Sequence, residues 1–194
     1  MTTVFVGGSR SIARLPAAAG ERLDNIVASG AHVVVGDAAG ADKAVQRHLL
    51  DAGYRSVEIF ASEGRPRHNL GDWPVRTVSA AGVRGGYAFF AAKDRAMAEV
   101  AEFGLMIWDG KSPGTILNIL RLVGQDKKAV LIESPGGRTT TFRGAADWVA
   151  FLDGRDARLR ADLRQRATAA EWNLGAQPGL AEDRPPGKPR RAGS

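Results

Sequence analysis

The chain has 194 residues and a hydrophobic share of 44%, which excludes disorder over most of its length. It contains no cysteine, so disulfides, thiolate metal sites and cysteine nucleophiles are excluded, in keeping with a reducing cytoplasm. A formal charge of +6 favours anionic ligands, free nucleotides and nucleic acids alike. The N-terminus lacks a basic stretch followed by a long apolar run, and no segment approaches the length of a membrane span. A cytoplasmic protein is therefore expected.

Val4-Phe5-Val6 reads as a short strand ending at Gly7-Gly8. Residues 17–28 carry apolar side chains at helical spacing, and Gly30 stands in the closing position that glycine favours. His32-Val33-Val34-Val35 is a second strand, ending at Gly36-Asp37. A helix over 41–52 follows and stops at Gly53. Val57-Glu58-Ile59-Phe60 is a third strand. Residues 62–86 are rich in glycine, proline and arginine and hold Asn69 and Trp73; a loop this long within a domain is functional or disordered. Helical spacing resumes over 87–102. Leu105-Met106-Ile107-Trp108 is the fourth strand, 116–123 a helix closed by Gly124, and 128–132 the fifth strand, with Glu133 at its end. Helices are predicted over 142–152, where Trp148, Phe151 and Leu152 read as core packing, and over 156–172. Beyond Asn173 the composition turns to Gly, Pro, Arg and Ala. The expected organisation is one domain over 1–174 and a disordered basic tail over 175–194, bearing Arg184, Lys188, Arg190 and Arg191.

Apolar strands without polar alternation, each followed by a helix, imply an α/β fold. The expectation is a Rossmann-like parallel sheet of about five strands with helices on both faces. In such sheets ligands bind at the carboxyl ends of the strands, so the residues just after each strand carry the chemistry.

Three strand–glycine–helix junctions collect at that edge. After the first strand come Gly7-Gly8-Ser9-Arg10: glycines admit a ligand to the backbone, Ser9 offers a hydroxyl, and Arg10 can grip a phosphate with two N–H groups. This is not the dinucleotide fingerprint, because Gly-x-Gly-x-x-Gly is absent. After the second come Gly36-Asp37-Ala38-Ala39-Gly40-Ala41-Asp42. Asp37 is read as a ligand contact, with Gly36 and Gly40 admitting close approach, and Asp42 as a structural partner of the helix start. After the fourth comes Trp108-Asp109-Gly110-Lys111-Ser112-Pro113-Gly114-Thr115, which ends in a helix whose unpaired N–H groups suit an anion. Here Asp109, Gly114 and Thr115 are candidates, Thr115 as a cap or a phosphate contact. Lys93, in Lys93-Asp94-Arg95-Ala96-Met97, is placed to enter the site from the side. The histidines at 32, 48 and 68 have no metal-ligand spacing, so no metal is expected, and only His68 is a candidate site residue.

The ordered set Gly-Gly-Ser-Arg, Gly-Asp-Ala-x-Gly-Ala-Asp, Lys-Asp-x-x-Met and Asp-Gly-x-x-x-Gly-Thr resembles the SLOG superfamily over about residues 3–134. That group includes the cytokinin-activating LOG phosphoribohydrolases, the Smf/DprA DNA-processing proteins and the YspA-like proteins. The chain is similar, more distantly, to nucleoside 2-deoxyribosyltransferases. The resemblance implies a Rossmann-like nucleotide-binding fold, often dimeric. This sequence departs from the enzymes where a glutamate follows the Gly-Thr pair by three residues: Asn118 stands there. An amide cannot serve as nucleophile or general base, although it can bond a ribose.

The first expectation is therefore a sensor or binding module for a nucleotide-like small molecule, without a cofactor and with a homodimer in view. The alternative is an N-glycosidase or base transferase, with Asp109, Asp37 or Glu133 replacing the missing glutamate. A DprA-like DNA-binding protein ranks last and nucleic acid is not the expected partner, because Arg65, Arg67, Arg76, Arg84 and Arg95 are scattered along the chain. Trp73 is the one aromatic that this third reading offers for base stacking.

Overall fold

In chain order the elements are β1 (Thr3–Gly8), α1 (Ala17–Ala28), β2 (His32–Gly36), α2 (Ala41–Asp51), β3 (Val57–Ser62), β4 (Val75–Val78), α3 (Gly86–Val100), β5 (Phe103–Trp108), α4 (Pro113–Val123), β6 (Lys128–Glu133), β7 (Thr139–Phe142), α5 (Ala145–Asp153), α6 (Ala157–Arg166) and α7 (Ala169–Gly175). They are seen in a computed structural model that describes residues 1–62, 64–79, 82 and 86–175. Arg84 and the predicted tail beyond 175 lie outside the described residues.

The strands form one Rossmann-like sheet in the order β4-β3-β2-β1-β5-β6-β7. All neighbours are parallel except β7, which runs antiparallel to β6. Successive residues of a strand face opposite sides, so a sheet covered on both faces needs apolar residues throughout. Val4, Val6, Val33, Val35, Leu105 and Ile107 pack with α1 and α2 on one side. Phe5, Val34, Met106 and Trp108 pack with α3, α4, α5 and α6 on the other, together with Trp148 and Phe151. Helix α4 is apolar nearly all round and is buried from Thr115 to Val123, as expected of a helix enclosed on every side.

The sheet has two strands more than expected, one at each edge. β4 lies inside the stretch read as a loop; it is short and mostly exposed and pairs with β3 alone. β7 ends at Phe142, which the sequence reading placed in a helix; α5 begins three residues later. The helix expected over 156–172 breaks at Ala167-Thr168, where the backbone amides of Thr168 and Glu171 each donate to the other's side-chain oxygen and so start α7 afresh. Helix α4 starts at Pro113 rather than at 116, with proline in the first turn where its missing N–H costs nothing. No helix among the described residues is long and apolar enough to cross a membrane.

Candidate functional site

β1 is the point where the sheet reverses its order: β2 follows on one side and β5 lies on the other. Connections leave from opposite faces there, so the carboxyl ends of β1 and β5 open into a crevice. A cleft of about 430 Å³ occupies it. Gly8 lies so close to the Ile107 carbonyl and the Ala41 side chain that a Cβ would overlap both. Gly40 has φ +78 and packs on the Arg10 backbone, and the Ala41 amide bonds the Ser9 carbonyl at 3.1 Å. The two glycine turns thus lock together and aim Ser9 and Arg10 at the cleft. The Ser9 hydroxyl accepts from the Asp109 amide at 3.2 Å and shares a 3.0 Å bond with the Thr115 hydroxyl. Thr115 is therefore neither the helix cap nor a free hydroxyl.

No side chain caps the start of α4. Its first N–H groups, at Gly114 and Thr115, have no intrahelical partner by geometry. A Cβ on Gly114 would meet nothing within 4 Å, so packing does not demand glycine there. Three polar side chains then run down this otherwise apolar helix at three-residue intervals: Thr115, Asn118 and Arg121, all buried. The Arg121 guanidinium donates to Asn118 Oδ1 at 2.6 Å, the Tyr87 hydroxyl at 3.1 Å and Glu171 Oε1 at 2.7 Å. Glu171 also takes Arg95 Nε at 2.8 Å. Burial opposes its ionisation, but Arg95 and Arg121 outweigh that and bring its pKa from 4.5 to about 2.

A depressed carboxylate stabilises the fold above its unfolded pKa, and that stability drains as pH falls through the folded value. The melting temperature is thus expected to fall more steeply in the wild type than in Glu171→Gln between about pH 4.5 and about pH 2. Parallel curves for the two proteins would remove Glu171 as the cause.

Asp109 is committed to its own loop. Its carboxylate accepts from the Ser11 hydroxyl at 2.6 Å, the Ser112 amide and hydroxyl at 2.8 Å each, and the Lys111 amide at 3.0 Å. Partial burial resists ionisation, but these donors hold the carboxyl well below the usual carboxylate range. Asp37 is committed as well. Arg67 grips it with Nη2 at 2.6 Å, Nε at 3.0 Å and its backbone amide at 3.1 Å, and its pKa is lowered although burial works the other way. Between it and the cleft the buried Lys93 ammonium stands 3.4 Å from Asp94, 3.8 Å from Asp42 and 3.9 Å from Asp37. Burial pulls the Lys93 pKa down, yet the three carboxylates outweigh it and raise it above the ordinary value. Asp42 is raised: desolvation and its like-charged neighbours exceed the pull of Lys93. Gly36 touches this cluster, and a Cβ there would overlap both Asp42 and Lys93.

The cleft's apolar surface comes from the start of α3. Phe90 and Tyr87 line it and are half-buried. The Arg10 guanidinium lies 4.7 Å from the Phe90 ring centroid and that of Arg67 5.1 Å from it. Arg166, from the end of α6, lies 5.2 Å from the Tyr87 ring centroid.

Of the residues singled out in the sequence, the structure gathers Gly8, Ser9, Arg10, Lys93, Gly114, Thr115 and Asn118 along this cleft. Gly36, Asp37, Gly40 and Asp109 stand behind them as the frame. His68 reaches the Asp37 carbonyl at 3.0 Å, and His32 and His48 lie apart on Ser56 and Asp24. Trp73 is corrected: it is buried, its indole N–H donates to the Tyr54 carbonyl at 3.0 Å, and Gly71 packs on its ring. Sequence reasoning missed Tyr87, Phe90 and Arg166. Phe90 stands three residues before Lys93, which places both on one helix face; that signal was present.

No protein-family model matches the chain, and no curated protein sequence matches it. The fold is similar to the solved structure of DNA processing protein A from Helicobacter pylori, described for its single-stranded DNA binding mode, with a TM-score of 0.51 at 12% identity over 84% of this chain and 79% of that one. The likeness shows a shared fold and carries none of the specifics of LOG enzymes or deoxyribosyltransferases. That neighbour's single-stranded DNA binding tells against two sequence expectations, a sensor for a nucleotide-like small molecule and the ranking of nucleic acid as an unlikely partner. Of the arginines that the scatter argument weighed, Arg76 pairs with Glu58, Arg95 pairs with Glu171, and Arg67 stands at Phe90. Arg10, Arg67 and Arg166 are far apart along the chain and meet around Phe90 and Tyr87.

Proposed function

We propose that the chain binds single-stranded DNA across the carboxyl edge of its sheet. The observation that carries this reading is the convergence of Arg10 and Arg67 on Phe90 beside the uncapped start of α4. Single strands are held by cationic groups that track the phosphates and by aromatic faces on which bases stack. Here Arg10, the ring and the helix N–H groups line one open cleft, with Arg67 against the ring beside it. Arg10 is exposed and leaves the ring for a phosphate, whereas Arg67 is anchored by Asp37. A solved protein of similar fold binds single-stranded DNA, which supports the same partner here. Residues 1–174 act as one domain in this reading, and the basic stretch at 175–194 adds charge to it.

The hydrolase chemistry of the LOG enzymes finds no support in the cleft. Asn118 is an amide held by Arg121, and Asp109 spends its carboxylate on loop donors. The test is fluorescence anisotropy of a labelled oligothymidylate, with the matching duplex as competitor, over a salt series. The single strand is expected to bind more tightly than the duplex, with log K falling linearly in log salt at about 0.7 per phosphate engaged. Absent binding, or binding indifferent to salt, overturns the reading.

A further inference from the structure

The C-terminal helices lie beyond the glycine junctions, yet they reach the cleft. Arg166, the last residue of α6, is exposed and lines the cleft across Tyr87. Unlike Arg67, it is tied to no carboxylate among the described residues. Two residues on, the Thr168 amide donates to Glu171 Oε2 at 2.7 Å and the Glu171 amide to the Thr168 hydroxyl at 3.1 Å. This reciprocal cap holds the Glu171 carboxylate where Arg121 meets it. The Arg121 guanidinium is a rigid planar fork that cannot lose a partner cheaply when buried. Its other two bonds go to Tyr87 and Asn118, both lining the cleft. One buried side chain therefore touches the C-terminal helix at one end and two cleft residues at the other.

We infer that the C-terminal segment is a working wall of the cleft, an inference that rests on the function proposed above. Arg166 grips a phosphate of the single strand. Glu171 is a positioning residue: through Arg121 it sets Tyr87 and Asn118 for the adjoining nucleotide. Docking of α7 and binding of the strand are then linked, and each strengthens the other by the same factor.

The test uses the full chain and a labelled oligothymidylate with the wild type, Arg166→Ala, Glu171→Ala, the double variant, and Arg10→Ala as reference. Arg166→Ala removes an exposed side chain, so it is expected to fold, to weaken binding by roughly five- to tenfold and to lower the salt slope by about 0.7. Glu171→Ala is expected to weaken binding with the slope kept, and the double variant to lose less than the product of the singles. Bound oligonucleotide is expected to slow amide exchange in α7 of the wild type. If Arg166→Ala keeps wild-type affinity and slope, and α7 exchange ignores the oligonucleotide, the inference is overturned; loss of binding in Arg10→Ala would leave the proposed function standing. If the wild type binds no oligonucleotide at any salt, the proposed function itself fails.

Discussion

Lys93→Met is expected to destabilise the protein at neutral pH by roughly 3–5 kcal/mol, a drop in melting temperature on the order of 10 °C. The substitution keeps the length of an unbranched chain and removes the ammonium. Lys93 is 3% exposed, and its removal strands the carboxylates it faces. They do not suffer equally. Asp37 keeps Arg67, and Asp94 is partly solvated with Arg121 4.0 Å away. Asp42 keeps one donor, the Ala38 amide at 3.2 Å, and becomes a buried charge without a counterion. Breaking a buried pair from one side is costly for this reason, whereas removing both partners is often close to neutral. Adding Asp42→Asn to Lys93→Met is accordingly expected to restore most of the loss.

The pH dependence supplies a second check. In Lys93→Met the burial of Asp42 is unopposed, so its folded pKa rises further above the unfolded value. A raised carboxyl stabilises the folded state below its unfolded pKa and loses that contribution as pH rises through the folded one. The deficit of the variant should thus be larger at neutral pH, shrink as pH falls through the raised folded pKa of Asp42, and be gone near the unfolded value of about 3.9. Melting curves across that interval decide it. A constant deficit would mean that lost packing of the lysine stem, and not the charge, is responsible.

The same cluster shows what was legible in the sequence. Strands β1, β2, β3, β5 and β6 are buried on both faces, so their composition announces them. β4 and β7 sit at the sheet edges, where one neighbour suffices and side chains face water; Arg76 and the threonines of β7 carry no apolar run to detect. The break between α6 and α7 was visible in principle, because Thr168 and Glu171 have the capping spacing. Lys93 and Asp37 could be placed near the edge, but not paired. Which charges neutralise one another depends on crossovers that bring residue 93 against residues 37 and 42. Trp73 was misjudged for a related reason: a tryptophan in a glycine-rich stretch gives no sign that Gly71 will make room for its ring.

Phe90→Ala is expected to weaken oligothymidylate binding by roughly ten- to a hundredfold, the worth of one stacked base at about 1–3 kcal/mol. Phe90 is the ring on which Arg10 and Arg67 lie, and Phe89 meets it edge-on at 5.3 Å, which steadies its orientation. Phe90→Trp keeps an aromatic face and should retain most of the affinity. The salt series separates stacking from charge. Removing a ring leaves the number of neutralised phosphates unchanged, so Phe90→Ala should shift log K at every salt by the same amount. Arg10→Ala removes a cation, so it should both weaken binding and flatten the slope by about 0.7. If the cleft is only a generic basic surface, the two variants will differ in slope but Phe90→Ala will bind as the wild type does. That result would dismiss Phe90 as a platform. Equal loss in both, with both slopes flattened, would mean that the ring serves merely to orient the Arg10 guanidinium.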